Sequence, residues 1–380
     1  MNVWMNLLCV QPGRNGGVET YCRELLGPLS RVPGLRLTLL CQPALARDLS
    51  PHADCEVRTP GIPLPNRLAR VLYEQTWLCH YARRGGAELL FCPGYLSPLA
   101  PTLPTVVVIH DTQFRDIPDM MEAGPLACYR AIIPIAVRQA AAVITVSSFS
   151  RKQILKHLRV APERVHVIHE ASRFSDNVQP WNGSRLPERF ILCVSGGGHK
   201  NGQRLCRAYA AVQSSFAEPW PLVLVGRNLT ELNGHISAAI PNIACLGHVS
   251  DASLATLYHR ANAFVFPSLY EGFGLPVLEA MGAGLPVACS NTASLPEVAG
   301  DAAILFDPRS EASIAASLVR LVNEPALRME LIEKGHRNAR RFSWLECARQ
   351  TAEIFRAVLA ASEGVRGRSE KSKPVLPAVL

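Results

Sequence analysis

Two glutamates, Glu271 and Glu279, bracket the glycine-rich turn EGFGLPVLE. The surrounding stretch from Phe264 to Pro308, FVFPSLYEGFGLPVLEAMGAGLPVACSNTASLPEVAGDAAILFDP, holds the densest chemistry of the chain. The apolar run FVFP reads as a buried parallel strand. Gly272 and Gly274 let the backbone turn tightly and leave room for a ligand beside it. Pro276 suits the first turn of a helix, where a missing N–H costs nothing. That helix, over Val277–Met281, ends near Gly282 and Gly284. The free amides of such a helix start favour an anion, phosphate above all. If both carboxylates were helical they would stand about 12 Å apart along the axis. A pair flanking one glycosidic bond needs roughly 5–9.5 Å. The reach suits instead the two ends of a long ligand, such as a sugar and a ribose joined by a diphosphate. The plainer alternative is a helix N-terminal charge at Glu271 and a buried or solvated Glu279.

Four further constellations carry chemistry. Gly16 and Gly17 stand between a first strand and the helix Val18–Leu26, which makes either a phosphate loop or a tight turn. His110 and Asp111 follow the strand Thr105–Ile109, at the strand end where clefts of α/β sheets open; a histidine capping the next segment is the alternative. Lys200 lies in SGGGHKN after the strand beginning at Phe190, where an ammonium neutralises a diphosphate or simply faces solvent. Residues 65–84, PNRLARVLYEQTWLCHYARR, read as one amphipathic helix. Leu68, Val71, Leu72, Leu78 and Tyr81 interleave with Arg67, Arg70, Arg83 and Arg84, and with Tyr73 and Trp77 this suits an anionic membrane surface or a helix packed on the first sheet with a solvated basic face. The sequence has no D-x-D, no C-x2-C, no G-x-S-x-G and no Walker-type phosphate loop. No spacing of Cys, His and Asp matches a metal site.

The elements that position these residues come in two rounds. Strands are predicted at Val3–Val10, Leu35–Cys41, Glu88–Cys92, Thr105–Ile109, Ala142–Val146 and Val165–Ile168, with helices between them such as Phe149–Leu158. A polar, turn-rich linker at 171–188 follows. The rhythm restarts with strands at Phe190–Ser195, Pro221–Val225, Ile243–Leu246, Phe264–Phe266, Pro286–Cys289 and Ala303–Phe306. Leu205–Ser214 and Ser253–Arg260 are helices of this half. Alternating strands and helices imply parallel sheets covered on both faces. The fold class is therefore α/β with two doubly wound, Rossmann-like domains. The first covers 1–180 and the second 189–345.

A chain of 380 residues with 48% apolar and 18% charged residues suits two soluble domains of ordinary size. The net charge of +8 points to an anionic partner. Zinc-finger spacing and RNP-like aromatics are lacking, so phosphate-bearing substrates or a membrane surface fit better than nucleic acid. The N-terminal residues read as a strand and not as a signal peptide. The stretch 131–146 is too short and too polar to span a bilayer. The 12 cysteines read as reduced, mostly buried thiols of a cytoplasmic protein.

The E-x7-E segment, with GFGLP inside it and EAMGAGLPV and LPEV after it, resembles the donor-site signature of the retaining glycosyltransferases of family 4. The likeness runs from the first strand to Phe342-Ser343-Trp344. It implies a GT-B architecture, with two Rossmann-like domains facing a cleft. It implies transfer of a hexose or deoxyhexose, mannose or rhamnose, from a nucleotide diphosphate sugar. The acceptor it implies is a glycan or lipid-linked saccharide of bacterial surface polysaccharide synthesis, at the inner face of the membrane. The first domain would take the acceptor. A helix over 346–362 would cross back to the first domain, and residues from 363 to 380 would form a disordered tail.

The resemblance also distributes roles. Glu271 would hold the sugar hydroxyls and Glu279 the ribose. His110 would orient the hexose. Gly16 and Gly17 would close over the diphosphate. Lys200, with the amides of Gly272, Phe273, Gly274 and Leu275, would bind the diphosphate without metal or cofactor. The backbone near Val249 would meet the base. Many members carry a second phosphate cation before the lysine, where this chain has Val194, Ser195 and glycines; Arg204 and Arg227 are the candidates to replace it. The competing readings are a non-catalytic subunit that kept the fold, a nucleotide-sugar epimerase or hydrolase, and a Rossmann oxidoreductase. The last would need a G-x-G-x-x-G that PGRNGGVE does not match.

Overall fold

A computed structural model describes residues 1–371 except 14–15, 50–54, 174–180, 182, 184–185, 228 and 230–239. The chain forms two parallel sheets, each with helices on its faces. The first holds β1 (Asn2–Asn6), β2 (Arg36–Leu40), β3 (Glu56–Arg58), β4 (Leu89–Cys92), β5 (Thr105–Val108), β6 (Ala142–Thr145) and β7 (Val165–Val167). Their order is β3-β2-β1-β4-β5-β6-β7. The second holds β8 (Ile191–Val194), β9 (Leu222–Val225), β10 (Ile243–Gly247), β11 (Ala263–Phe266), β12 (Val287–Ser290) and β13 (Ala303–Phe306), ordered β10-β9-β8-β11-β12-β13. Each order reverses once, between β1 and β4 and between β8 and β11. Loops leaving those strands diverge and leave a crevice at the carboxyl ends, where ligands of such sheets bind.

The central strands LLFC, TVVV, AFVF and VACS are buried along their whole length. That explains why they read as continuous apolar runs and not as alternating ones. The first strand stops at Asn6, short of the Val10 read from the sequence. The Asn6 side chain accepts the amide of Leu8 at 3.2 Å, and Val10 N–H closes a turn on the Leu7 carbonyl. A side chain that satisfies the backbone locally ends the ladder there.

Residues 65–84 depart from the single helix expected. They form two helices, Arg67–Thr76 and Leu78–Arg84, jointed at Trp77 (φ −109°, ψ −27°). Tyr73 and Leu78 are buried against the first sheet, whereas Leu68, Leu72 and Trp77 are 67%, 55% and 58% exposed. Much of the linker expected at 171–188 lies outside the described residues. The helix from Trp344 runs to Lys371, past the residue 362 at which the sequence reading ended it; 372–380 are outside the described residues. Its first half crosses back to the first domain. Phe355 meets Phe91 of β4 edge-on at 5.1 Å, and one apolar cluster runs from β1 through Phe273 to Phe355.

Candidate active site

Lys200 and Glu271 come from the two loops that flank the switch point of the second sheet, after β8 and after β11. This brings residues 71 positions apart into contact, with Lys200 Nζ donating to Glu271 Oε1 at 2.7 Å. The ammonium also stands 4.8 Å from the centre of the Phe266 ring. Asn201, in the left-handed region at φ 59°, anchors the lysine's loop by donating to the carbonyls of Pro267 and Pro308. The buried hydroxyl of Ser294 fixes the glutamate's loop from the other side, donating to the carbonyls of Glu271 and Phe273.

The helix after this loop is Leu275–Gly282, with Pro276 in its first turn and Gly274 (φ 114°) as its cap. Glu271 is therefore not helical, and the axial distance reckoned from sequence does not apply. Gly274 serves the turn, because its φ is one that other residues rarely adopt. Gly272 has a different reason. A Cβ there would lie 2.5 Å from the His110 carbonyl oxygen and 3.1 Å from Asp111 Cβ. The glycine is required for close approach to the first domain, not to make room for a ligand.

Glu279 lies deeper. Burial raises its pKa above the ordinary carboxylate value, against the charge of Arg173 and the hydroxyl of Tyr258. Arg173 Nε donates to Oε1 at 3.0 Å and Tyr258 to Oε2 at 3.0 Å. Arg173 also meets Asp251 at 2.9 Å and reaches Thr20 Oγ1 of the first domain at 3.4 Å. Sequence reasoning missed Arg173. It stands where the chain passes between the domains, in ASRFS, with nothing in its neighbourhood to single it out.

His110 leaves the end of β5 and is buried. Its Nε2 lies 2.9 Å from the Pro93 carbonyl and its Nδ1 3.3 Å from Glu170 Oε1. The Pro93 carbonyl can only accept, so Nε2 carries a proton, and the Glu170 carboxyl faces Nδ1. Burial lowers its pKa, but the hydrogen bond and charge of Glu170 and the Pro93 carbonyl outweigh that and leave it raised. Both ring nitrogens are engaged by protein partners, which does not place His110 as a general base. Glu170 was another residue the sequence reading missed.

These residues line one cleft of about 920 Å³ between the domains, together with Gly16, Gly17, Val249 and the Gly272–Leu275 backbone. The Phe273 ring packs on Phe342 at 5.6 Å and His169 at 5.9 Å. Gly16 (φ 52°) caps the helix Gly17–Ser30 without a side-chain bond, leaving amides at its start. Of the two candidates for a second cation, Arg204 is turned aside onto Asn201 and the Pro308 carbonyl. Arg227 lines the cleft beside His248, 3.3 Å away. The lining carries eight carboxylates against four lysines and arginines, so the +8 of the chain resides elsewhere. Among the described residues no group of three or more His, Cys, Asp and Glu could hold a metal ion. None of their helices is long and apolar enough to cross a membrane, and the cysteines form no disulfide.

The contact between domains is extensive beside the site. Ser147 and Ser150 donate to the Gly272 carbonyl at 2.6 and 3.0 Å, and Tyr270 donates to Asp116 at 2.8 Å. Glu297, of the LPEV run, accepts the amides of Ser148 and Phe149 and pairs with His169 at 2.9 Å. It thus caps a helix of the opposite domain. Burial opposes its ionisation, but those three hydrogen bonds pull its pKa down to about 2.

Comparison with known proteins places this geometry. Residues 15–171 match the model described as Glycosyltransferase Family 4, and residues 176–338 that of Glycosyl transferases group 1. O-antigen chain mannosyltransferase B of Escherichia coli is 31% identical over 266 residues, 66% of this chain and 70% of that protein. Serotype-specific mannosyltransferase WbdA of Escherichia coli is 28% identical over 242 residues, 59% of this chain but only 30% of that protein. Sucrose-phosphate synthase from Thermosynechococcus elongatus superposes with a TM-score of 0.71 at 18% identity, over 95% of this chain and 100% of that one. Anabaena Alr3699/HepE in complex with UDP-glucose gives 0.69 at 18% identity, over 94% and 100%. With two doubly wound sheets, a cleft at their switch points and an E-x7-E loop facing a lysine, the chain belongs to the GT-B glycosyltransferases of family 4.

Proposed function

We propose that the protein transfers mannose, with retention of anomeric configuration, from a nucleoside diphosphate mannose to a hydroxyl of a glycan or lipid-linked saccharide in surface polysaccharide synthesis. The observation that carries this reading is the Lys200–Glu271 pair beside the start of the helix Leu275–Gly282. A cation, free amides and a carboxylate converge there on the volume that a diphosphate and its sugar would fill. The mannosyl specificity follows the names of the two Escherichia coli relatives.

In this reading Lys200 and the amides of Gly272–Leu275 meet the charge of the leaving diphosphate, with Gly16 and Gly17 closing from the opposite domain. Glu271 holds sugar hydroxyls, and Glu279 the ribose. The backbone at Val249 reads the base. His110 lines the sugar end of the cleft. The acceptor oxygen bonds to the anomeric carbon as the bond from that carbon to the diphosphate breaks. The electron pair leaves on the diphosphate, which also takes the hydroxyl proton on the same face. No metal ion is needed for that charge balance. The exposed Leu68, Leu72 and Trp77, with Arg67, Arg83 and Arg84 on the same helices, form the surface that meets an anionic membrane carrying the acceptor.

The test is thermal stabilisation by GDP-mannose, dTDP-rhamnose, UDP-glucose and their nucleoside diphosphates, with and without EDTA. Product anomeric configuration is then read by NMR. One nucleoside diphosphate should stabilise the protein regardless of EDTA. Stabilisation by none of them refutes the transferase reading in favour of a non-catalytic subunit, and stabilisation lost with EDTA refutes metal independence.

A further inference from the structure

Asp111 has no part in the donor site above, yet the fold commits several unusual features to it. It follows His110 at the end of β5 and lines the cleft on the wall of the first domain. Its Oδ2 accepts the phenol of Tyr95 at 2.8 Å and its Oδ1 the amide of Gln113 at 2.9 Å. Tyr95 makes that bond from a left-handed backbone, φ 68°, a conformation costly for a bulky residue. Strain of this kind persists only where the surroundings enforce it, and it gathers at working sites. Here the surroundings are visible. The Tyr95 amide donates to the Val108 carbonyl, and its ring stacks on Tyr129 at 5.3 Å and 23° and abuts His110 at 5.3 Å.

Across the cleft stands the loop carrying Glu271. The two segments meet closely, since a Gly272 Cβ would fall 3.1 Å from Asp111 Cβ, and the charge of the neighbouring Glu271 bears on Asp111. An ionised carboxylate is acceptor-only. With the charge of a second carboxylate bearing on it, its complement is a neutral hydroxyl donor and not an anion. Each oxygen of Asp111 keeps a lone pair after its bonds to Tyr95 and Gln113.

We infer that Asp111, held in place by Tyr95, receives the attacking hydroxyl of a saccharide acceptor and aims it at the sugar held by Glu271. This rests on the transferase reading and adds to it the residue pair that binds the second substrate. Asp111 touches the acceptor; Tyr95 is a positioning residue. The ionisation of Asp111 then governs the acid side of transfer. The groups facing it are His110, Tyr95 and Tyr129 on its own domain and His199, Tyr270 and Glu271 opposite. Burial raises its pKa and Glu271 adds to that, against the Gln113 amide, the Tyr95 phenol and the His110 charge. Transfer should therefore fall as pH drops through this raised value, and loss of the phenol should move the fall to higher pH.

The experiment uses the full chain, whichever donor of the panel above it turns over, and p-nitrophenyl α-mannoside as acceptor probe. Transfer is measured beside donor hydrolysis without acceptor. Asp111→Asn should lower transfer about 10- to 100-fold, the range for losing a hydrogen bond to a charged group. Hydrolysis and nucleotide stabilisation should stay within about threefold of wild type. Tyr95→Phe should shift the acid limb of transfer upward while leaving the plateau within about threefold. Equal loss of transfer and hydrolysis in Asp111→Asn, or an unmoved acid limb in Tyr95→Phe, overturns the inference while leaving the transferase reading intact. A wild-type chain that turns over no donor removes that reading and this inference with it.

Discussion

Removing Arg173 should destabilise the protein in a way that depends on pH, and the sign of that dependence tests the account of Glu279. Glu279 is fully buried, with one oxygen on Arg173 and the other on Tyr258. Its folded pKa lies above the ordinary value because burial outweighs those partners. A carboxylate with a raised folded pKa favours the protonated folded state. Its ionisation therefore costs stability as pH rises through that value, and Arg173 limits the cost. Breaking a buried ion pair from one side costs about 3–5 kcal/mol. The lower end applies here, because Tyr258 remains on Glu279 and Asp251, a further partner of the guanidinium, is 73% exposed in its side chain. Arg173→Ala should thus lose about 3 kcal/mol at pH 8. The loss should shrink as pH falls to 5.5, because Glu279 takes up a proton instead of standing ionised and unpaired. Glu24 leans on the same cation with its pKa also raised, so its response has the same sign. Urea unfolding at pH 8, 6.5 and 5.5 measures this, and Arg173→Ala combined with Glu279→Gln should recover much of the loss at pH 8. A penalty that is constant with pH, or grows toward acid, would refute the reasoning.

Lys200→Ala and Glu271→Ala should each abolish transfer with melting little changed, because both side chains point into the cleft and their pair is partly exposed; near-normal transfer by both variants would sink the site assignment. Glu279→Ala should mainly weaken nucleotide affinity, read by calorimetry. Gly272→Ala forces a methyl against the His110 carbonyl, which is backbone and cannot swing aside. It should cost about 1–3 kcal/mol of stability and a large share of transfer, whereas Gly282→Ala, whose nearest neighbours are the Ser172 side chain at 3.6 and 4.0 Å, should be tolerated in melting and activity alike. Trp77→Glu together with Leu72→Glu should reduce sedimentation with phosphatidylglycerol vesicles at least about tenfold, with no change in melting, since both side chains are exposed.

The doubly wound sheets were legible because their strands are buried on both faces. TVVV and AFVF then announce themselves as unbroken apolar runs whatever their neighbours. The three-residue strand β3, half-exposed at the sheet edge, carries no such signal and was missed. Local motifs likewise identified the loop after β11, since Gly274 and Pro276 are dictated by a turn and a helix start within a few residues. What the sequence could not supply was strand order, and with it the reason Lys200 meets Glu271. Adjacency of β8 and β11 is a property of the whole sheet. The spacing argument for Glu271 and Glu279 failed for a related reason, because it assumed one helix where a loop precedes the cap at Gly274. Residues whose partners lie far along the chain were least legible of all. Arg173, Glu170 and Glu297 find their partners 106, 60 and 149 positions away, at Glu279, His110 and Ser148. Each is an ordinary charged residue in its own segment. The glycine at 272 is the instructive case, because its type was read correctly as a signal while its cause was not. A glycine in a ligand-side turn and a glycine under an opposing backbone leave the same letter. Only the 2.5 Å separation between a would-be Cβ and the His110 carbonyl tells them apart. That separation also makes the donor loop and the His110–Asp111 segment parts of one surface, so a methyl added at position 272 should be felt by both substrates.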